Sequence, residues 1–420
     1  MELSPRLRSG QAGGAGKRVF VGLSGGVDSS VAAALLKEQG YDVAGVFMRF
    51  WKPRTDADSK TADGRGWENS CCSAESEAAA RLVAGKLGIP FYIFDFSKEF
   101  KREVVDYFLA ELRAGRTPNP CVVCNPQIKF GLFLARAKKL GADFVATGHY
   151  AKTAVIARSK ATKQSRGRGS IAGSPRPCSP RLRRVGAGGA RDDKIGLFAA
   201  KDKHKDQSYF LHRLSQEQLS RVLFPLGGYT KDEAYKLAKK WQLPHQAHQS
   251  FDICFAGDYN AFLKKHLKLK PGKIIDMTGR LLGRHQGLPL YTIGQRASIG
   301  GPGPFFVVKK DAKKNILYVS NNERDLYQKE MLVDDINWIG SVSPRLRISA
   351  FATSYGGQAK LPLSCKIKTR YQGKAARAVI RLRSGHKSFV VFAKPQRAVT
   401  PGQSAVFYKG KEILGGGTIL

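Results

Sequence analysis

Residues 18–30 read RVFVGLSGGVDSS. Arg18 to Leu23 form a short apolar run that ends in glycine and serine, the pattern of a buried parallel strand. A helix is predicted from Val31, with Gly40 as its stop. Between them lies SGGVDSS, Ser24 to Ser30. Gly25 and Gly26 let the backbone turn tightly and aim its N–H groups at an anion. The N-terminus of the following helix adds its positive dipole end. Ser24 and Ser29 can donate hydroxyl hydrogen bonds, and Asp28 can hold Mg²⁺ or order the loop. No lysine closes the loop, so GxxxxGK[ST] is absent, and so is GxGxxG. A Ser/Gly turn can merely cap a helix; its setting between a strand and a helix favours anion binding.

Outward from this turn, strands and helices alternate. Strands are predicted at Val43–Met48, Phe91–Phe96 and Phe144–Thr147, and helices at Glu75–Leu87, Lys98–Arg113 and Phe130–Leu140. Such alternation implies an α/β fold whose parallel sheet is covered on both faces. Ligands of such sheets sit beyond the carboxyl ends of the strands. After about residue 215 the texture changes. Arg221 to Gln242 still reads as helical, but from Lys273 onward short β-like runs are punctuated by Gly and Pro. The expected organisation is a basic tail at 1–16, an α/β domain at 17–218, a central domain at 219–330 and a C-terminal β-rich domain at 331–420.

The 420 residues, 42% hydrophobic and 25% charged, exclude wholesale disorder, collagen and coiled coil. No apolar run approaches the ~18 residues of a transmembrane helix, so no membrane partner is expected. The net charge of +38 favours a polyanionic partner, nucleic acid first. Part of it is local. A Ser/Arg/Gly-rich stretch at about 158–194 carries 11 Lys and Arg against Asp192 and Asp193, and it is too polar to fold alone. It contains one of three copies of SPRLR, at Ser4–Arg8, Ser179–Arg183 and Ser343–Arg347. These read as translated copies of one mobile sequence element, with an RNA-binding arm as the rival. Lys264, Lys265, Lys268 and Lys270 form a further basic run, a phosphate track or a solvated helix face.

Seven cysteines are too few for a disulfide scaffold, and a reducing cytoplasmic setting is expected. Two constellations stand out. TPNPCVVCN, Thr117 to Asn125, holds Cys121 and Cys124 in a Pro- and Asn-rich segment read as a stiffened loop. Paired thiols there can do redox chemistry, carry sulfur or bind metal. SFDICF, Ser250 to Phe255, sets Cys254 between apolar neighbours, where a core thiol is the default. Cys71–Cys72, Cys178 and Cys365 receive no role.

The strand–SGGVDSS–helix unit resembles the signature of the PP-loop ATP pyrophosphatases, which cleave ATP between its α- and β-phosphates. The whole chain resembles the bacterial tRNA-specific 2-thiouridylases. The matching pieces, in order, are GLSGGVDSS, GVFM (Gly45–Met48), TPNPCVVCN, IKFG (Ile128–Gly131), TGHYA (Thr147–Ala151), KDQSYFL (Lys205–Leu211), ICF, YTIGQR (Tyr291–Arg296), KTRY (Lys368–Tyr371) and TPGQSAVFY (Thr400–Tyr408). The resemblance implies a parallel-sheet domain of the adenine nucleotide alpha hydrolase type, a small central domain and a C-terminal β-barrel-like domain.

It also implies roles. ATP with Mg²⁺ would be held by Gly22, Leu23, Ser24, Gly25, Gly26, Val27, Asp28 and Ser29, with Met48 and Gly148 flanking the adenosine. ATP would adenylate the C2 oxygen of the wobble uridine. Cys254 would carry the incoming sulfur as a persulfide, and Cys124 would resolve it, leaving a Cys124–Cys254 disulfide. Asn119, Pro120, Cys121, His149, Lys205, Asp206, Gln207, Arg370, Tyr371 and Gln403 match positions that touch tRNA. The chain departs from many relatives at Cys121, where Asp is frequent. That change opens an alternative in which Cys121, Cys124 and Cys254 hold an iron–sulfur cluster. Implied partners are tRNA and a persulfide donor or relay protein, and a monomer is expected. Two other classes remain open at this level: a different PP-loop enzyme such as an amidating ligase, and a tRNA-binding protein with a decayed site.

Overall fold

A computed structural model describes residues 16–50, 73–156, 194–244, 253–256, 258–299, 303–339, 363–382 and 387–420. The basic tail up to residue 15, Cys71–Cys72, Cys178, the three SPRLR copies and Ser250–Asp252 lie outside the described residues.

The N-terminal unit opens with β1 (Arg18–Gly22), α1 (Val27–Glu38), β2 (Asp42–Arg49), α2 (Ala74–Leu87) and β3 (Phe91–Asp95). A helical stretch follows, made of α3 (Ser97–Phe100), a π-helical turn (Lys101–Val105) and α4 (Asp106–Arg113). A second continues from α5 (Pro120–Cys124) through a π-helical segment (Asn125–Leu132) into α6 (Phe133–Lys139), and β4 (Phe144–Ala146) comes next. The sheet includes β1 to β4, paired in parallel as expected. The apolar run of β1 follows from burial on both faces. Val19 and Val21 pack with Leu36 and Val83 on one side, while Phe20 packs with Phe94, Phe100 and Phe133 on the other.

Three local readings change. Helix α1 begins at Val27 rather than Val31, because Gly26 is already extended and Asp28 suits the first turn. Cys121 and Cys124 sit on the first turn of a helix rather than in a loop. The Asn119 side chain accepts from Cys121 N at 3.1 Å, and Pro120 occupies the first helical position, where its missing N–H costs nothing. Farther along this helix Pro126 has no N–H to donate, and the helix widens into its π-helical segment there. The stretch 221–242 is not one helix either. After β5 (Ala151–Ile156), β6 (Lys194–Ala199), a 3₁₀ turn (Ser208–Leu211) and α7 (Gln216–Ser220), β7 (Val222–Leu223) pairs in parallel with β4. Pro225 and two glycines then make a 3₁₀ turn, and α8 (Lys231–Lys240) starts at a capping box formed by Thr230 and Glu233. The sheet order is thus β3-β2-β1-β4-β7, and the connections reverse direction between β1 and β4.

Helix α9 (Tyr259–His266) leads to the central sheet, formed by β8 (Gly272–Asp276), β9 (Leu281–His285), β10 (Arg296–Ala297), β11 (Phe305–Asp311) and β12 (Ile316–Ser320) in the order β10-β11-β12-β8-β9. Its own core contains Ile274, Leu288, Val307, Leu317 and Val319. The C-terminal strands are β13 (Tyr327–Trp338), β14 (Leu363–Lys368), β15 (Ala376–Leu382), β16 (Ser388–Arg397), β17 (Ser404–Lys409) and β18 (Glu412–Ile419). They run β13-β16-β15-β14-β17-β18 and close through a β13–β18 pairing, which makes a barrel. The hairpin β5–β6 leaves the parallel sheet and joins this barrel, with Phe198 opposite Glu412 and Leu197 opposite Ile413.

Candidate active site

The Ser24–Gly26 turn lies where β1 hands over to α1, beside the reversal point of the sheet. Gly25 has φ +77°, and a β-carbon there would lie 2.5 Å from the Ser76 carbonyl oxygen. The first turn of α2 therefore backs the loop so closely that no side chain fits. Ser29 is buried; its Oγ donates to Gly26 O at 3.0 Å and accepts from Ser24 N at 3.1 Å. Ser29 thus shapes the loop, whereas Ser24 is exposed at its mouth. Gly26 gives α1 no side-chain cap, which leaves the first-turn N–H groups to a ligand.

Met48 and Gly148 flank this loop. A β-carbon on Gly22 would lie 2.8 Å from Met48 Cε, and one on Gly148 would lie 2.7 Å from the Asp28 carbonyl carbon and 2.8 Å from Ser29 N. Gly148 is therefore pressed against the start of α1. Asp28 Oδ1 accepts from Tyr150 Oη at 2.8 Å and from Lys231 Nζ at 2.7 Å. Of its two sequence readings, the carboxylate here orders the loop. Burial, and then the Asp28 charge, push the Tyr150 phenol far above its ordinary pKa, so it remains a donor. Sequence reasoning assigned no role to Tyr150 or Lys231. Tyr150 lies inside a quoted motif, whereas Lys231 carries only a capping-box signal for its own helix.

The residues after β4 link this loop to the thiols. His149 Nδ1 lies 2.7 Å from Thr147 Oγ1, and its ring packs on Phe130 of the thiol-bearing helix and on Phe224. Burial and the nearby Lys129 ammonium hold this imidazole well below its usual pKa, so it is neutral at pH 7. Cys124 is buried in the largest apolar cluster, against which Cys254 also packs, half-buried. Phe255 anchors Cys254 by edge-on ring contacts to Phe100, Phe108 and Phe262. Cys121, on the same helix as Cys124, is half-buried. Among the described residues no group of three His, Cys, Asp or Glu side chains is placed to hold a metal ion. The donor set imagined for a cluster is therefore not gathered.

The residues matched to tRNA contacts divide. Lys205 and Arg370 are exposed. Asp206 is buried and accepts from Ala200 N, Ser208 N and Ser208 Oγ at 3.1–3.2 Å, so its carboxylate holds its own turn. Gln207 Oε1 accepts from Tyr150 N at 3.0 Å. The Tyr371 ring lies 4.4 Å from that of Phe210, and Asn125, next to Cys124, donates to Phe210 O at 3.0 Å. The barrel's Arg370–Tyr371 turn thus sits beside the thiol-bearing helix. Gln403 Nε2 donates to Thr117 O at 2.8 Å, two residues before Asn119. Lys264, Lys265, Lys268 and Lys270 all face solvent. No helix among the described residues is long and apolar enough to cross a membrane.

Three family models match consecutive parts of the chain: a tRNA methyl transferase HUP domain over residues 17–258, a tRNA methyl transferase PRC-barrel domain over 260–321 and an aminomethyltransferase beta-barrel domain over 328–419. Among curated proteins, the tRNA-specific 2-thiouridylase MnmA of Carboxydothermus hydrogenoformans is 39% identical over 414 residues, covering 96% of this chain and 97% of that protein. MnmA of Listeria monocytogenes is 41% identical over 410 residues, and that of Bacillus licheniformis 41% over 409, each covering 96% of this chain and 94% of the relative.

Proposed function

The chain belongs to the tRNA-specific 2-thiouridylase family, sulfurtransferases acting on tRNA uridine, and from that premise we propose that it activates the wobble uridine with ATP and delivers sulfur through two cysteines. The α/β domain binds ATP with Mg²⁺ at the Ser24–Ser29 loop. First-turn N–H groups of α1, which no side chain caps, and the exposed Ser24 hydroxyl hold the phosphates. Lys231, held 2.7 Å from Asp28, supplies the cation that the loop itself lacks. Met48 and Gly148 border the adenosine.

The uracil C2 oxygen attacks the α-phosphorus and pyrophosphate leaves. The resulting adenylate turns a poor leaving oxygen into a good one. The terminal sulfur of a Cys254 persulfide, loaded by a donor or relay protein, attacks C2, and AMP departs with the former C2 oxygen. C2 is then joined through sulfur to Cys254 Sγ. The Cys124 thiolate attacks Cys254 Sγ, a Cys124–Cys254 disulfide forms, and the released sulfur remains on C2 as the thiocarbonyl. An external thiol reduces the disulfide with two electrons. Exposed Lys205 and Arg370 meet tRNA phosphates, and the target base leaves its stack to enter between the loop and the thiol helix.

One observation carries this reading. The residues after β4 touch both machineries, Gly148 against Asp28–Ser29 and His149 against Phe130 of the thiol helix. Adjacent residues of one connection thereby join the loop to the thiol-bearing helix, which supports a shared site. The test is nucleoside mass spectrometry of unmodified tRNA incubated with excess protein, ATP, Mg²⁺ and a small-molecule persulfide as sulfur donor, in a single turnover. The expected product is 2-thiouridine, with AMP formed in step. AMP without thiouridine would refute the sulfur route, and neither product would refute the assignment.

A further inference from the structure

The segment Gly115–Asn119 leads from α4 into the thiol-bearing helix, and side chains from all three domains meet on it. Arg116 is locked to Glu111 of its own domain through both guanidinium nitrogens that face it. Thr117 N donates to Pro401 O at 2.9 Å, and Thr117 O accepts from Gln403 Nε2 at 2.8 Å. Both backbone polar groups of Thr117 are therefore satisfied by one turn of the C-terminal barrel. That turn is braced in its own domain, since Gly402 N donates to Ile419 O and Ile419 N to Gln403 O. From the other side Lys310 Nζ reaches Thr117 Oγ1 at 3.4 Å and Tyr291 O at 2.9 Å. The contacts leave little slack. A β-carbon on Gly115 would lie 3.1 Å from Ala312 Cβ, and one on Gly402 would lie 2.9 Å from Thr117 N.

Beyond Thr117 the chain reads Pro118, Asn119, Pro120, Cys121. Two prolines fix φ, and the Asn119 cap fixes the first turn of the helix. A displacement of Thr117 is therefore passed to Cys121 and Cys124 rather than absorbed. We infer that Gln403 and Lys310 are positioning residues: they grip Thr117 from the barrel and from the central domain, and so set the placement of the Cys121–Cys124 turn for sulfur transfer. For Gln403 this differs from the direct tRNA contact that its motif implies, because its amide nitrogen donates to Thr117 O. Burial lowers the Lys310 amine to about 8, which agrees with a group enclosed between domains rather than facing RNA phosphates.

The inference rests on the proposed two-cysteine chemistry, so its test includes a readout independent of turnover. Gln403→Glu keeps the size of the side chain and removes the donor to Thr117 O. Lys310→Met removes the ammonium from the other side. For the wild type and both single variants, three quantities are compared: the tRNA dissociation constant, kcat and KM for thiolation, and the rate of Cys121 and Cys124 alkylation by iodoacetamide, read by mass spectrometry without tRNA or ATP. Each variant should change tRNA affinity less than about twofold, lower kcat at least tenfold and change the alkylation rate at least threefold. The double variant should lose little more than either single one. A Gln403→Glu enzyme with tenfold weaker tRNA binding and unchanged alkylation would make Gln403 an RNA contact and overturn the inference. Unchanged kcat in both single variants would overturn it too. If wild-type enzyme forms no thiouridine, the proposed function fails, while the alkylation rates still decide whether Thr117 is gripped as described.

Discussion

Replacing Lys231 by Met separates a phosphate ligand from a purely structural ion pair. Lys231 Nζ stands 2.7 Å from Asp28 Oδ1, with the two side chains 21% and 32% exposed. A charge-assisted hydrogen bond is worth about 1.5–3 kcal/mol, and partial exposure trims the stability share to about 1–2 kcal/mol. Asp28 keeps its bond from Tyr150 Oη, so the loop should remain folded. The larger effect falls on ATP. Losing one ammonium–phosphate contact of about 1.5–3 kcal/mol weakens binding roughly 10- to 150-fold. The assay is calorimetric titration with an ATP analogue that resists α–β cleavage, beside a tRNA gel shift and a melting curve. The expected result is weaker analogue binding, unchanged tRNA binding and a modest fall in Tm. Lys231→Arg should recover much of the affinity. A fall in Tm with analogue affinity within twofold of wild type would show that Lys231 serves Asp28 alone.

Other outcomes follow from the same geometry. Cys124→Ser and Cys254→Ser should each abolish 2-thiouridine formation and leave tRNA affinity within about twofold; full activity in either would end the two-cysteine scheme. Deleting residues 159–191 should leave activity and Tm largely intact, because the paired part of β5–β6 ends at Ile156 opposite Lys194, outside the deletion; an inactive but folded product would count against this. Acid should destabilise the fold through His212, whose Nδ1 donates to Tyr209 O and whose burial lowers its pKa to about 3. The unfolded chain binds this proton below about pH 6.5 and the native one does not. Stability is thus complete above 6.5 and is lost as pH falls, by about 2 kcal/mol between pH 7 and 5 for this one group. Urea denaturation at the two pH values should show that loss, and His212→Gln should reduce it.

The parallel α/β domain was legible because its signals are local. Val19, Phe20 and Val21 are apolar without alternation since both faces of β1 are covered, and the glycines after it mark a turn whatever lies elsewhere. The cysteines were legible by chemical type and motif. Less legible was the conformation around them, since the Asn119 cap and Pro120 start a helix where proline density suggests a loop. Arg221–Gln242 misled for a related reason. Its average composition is helical, but Val222–Leu223 found an open sheet edge beside β4.

By itself the sequence determined the strand, the glycine turn and the helix around SGGVDSS and the family to which the chain belongs, and it singled out Cys124 and Cys254 as candidates. Each rests on neighbours a few residues apart or on residue type. The tertiary structure alone decided which distant groups meet. Lys231 reaches Asp28 across 203 positions, Gln403 reaches Thr117 across 286, and the β5–β6 hairpin joins a barrel built from the far end of the chain. The physical reason is that a hydrogen-bonding side chain carries no record of its partner. Lysine or glutamine satisfies whatever acceptor packing brings within about 3 Å, and packing is a property of the whole chain.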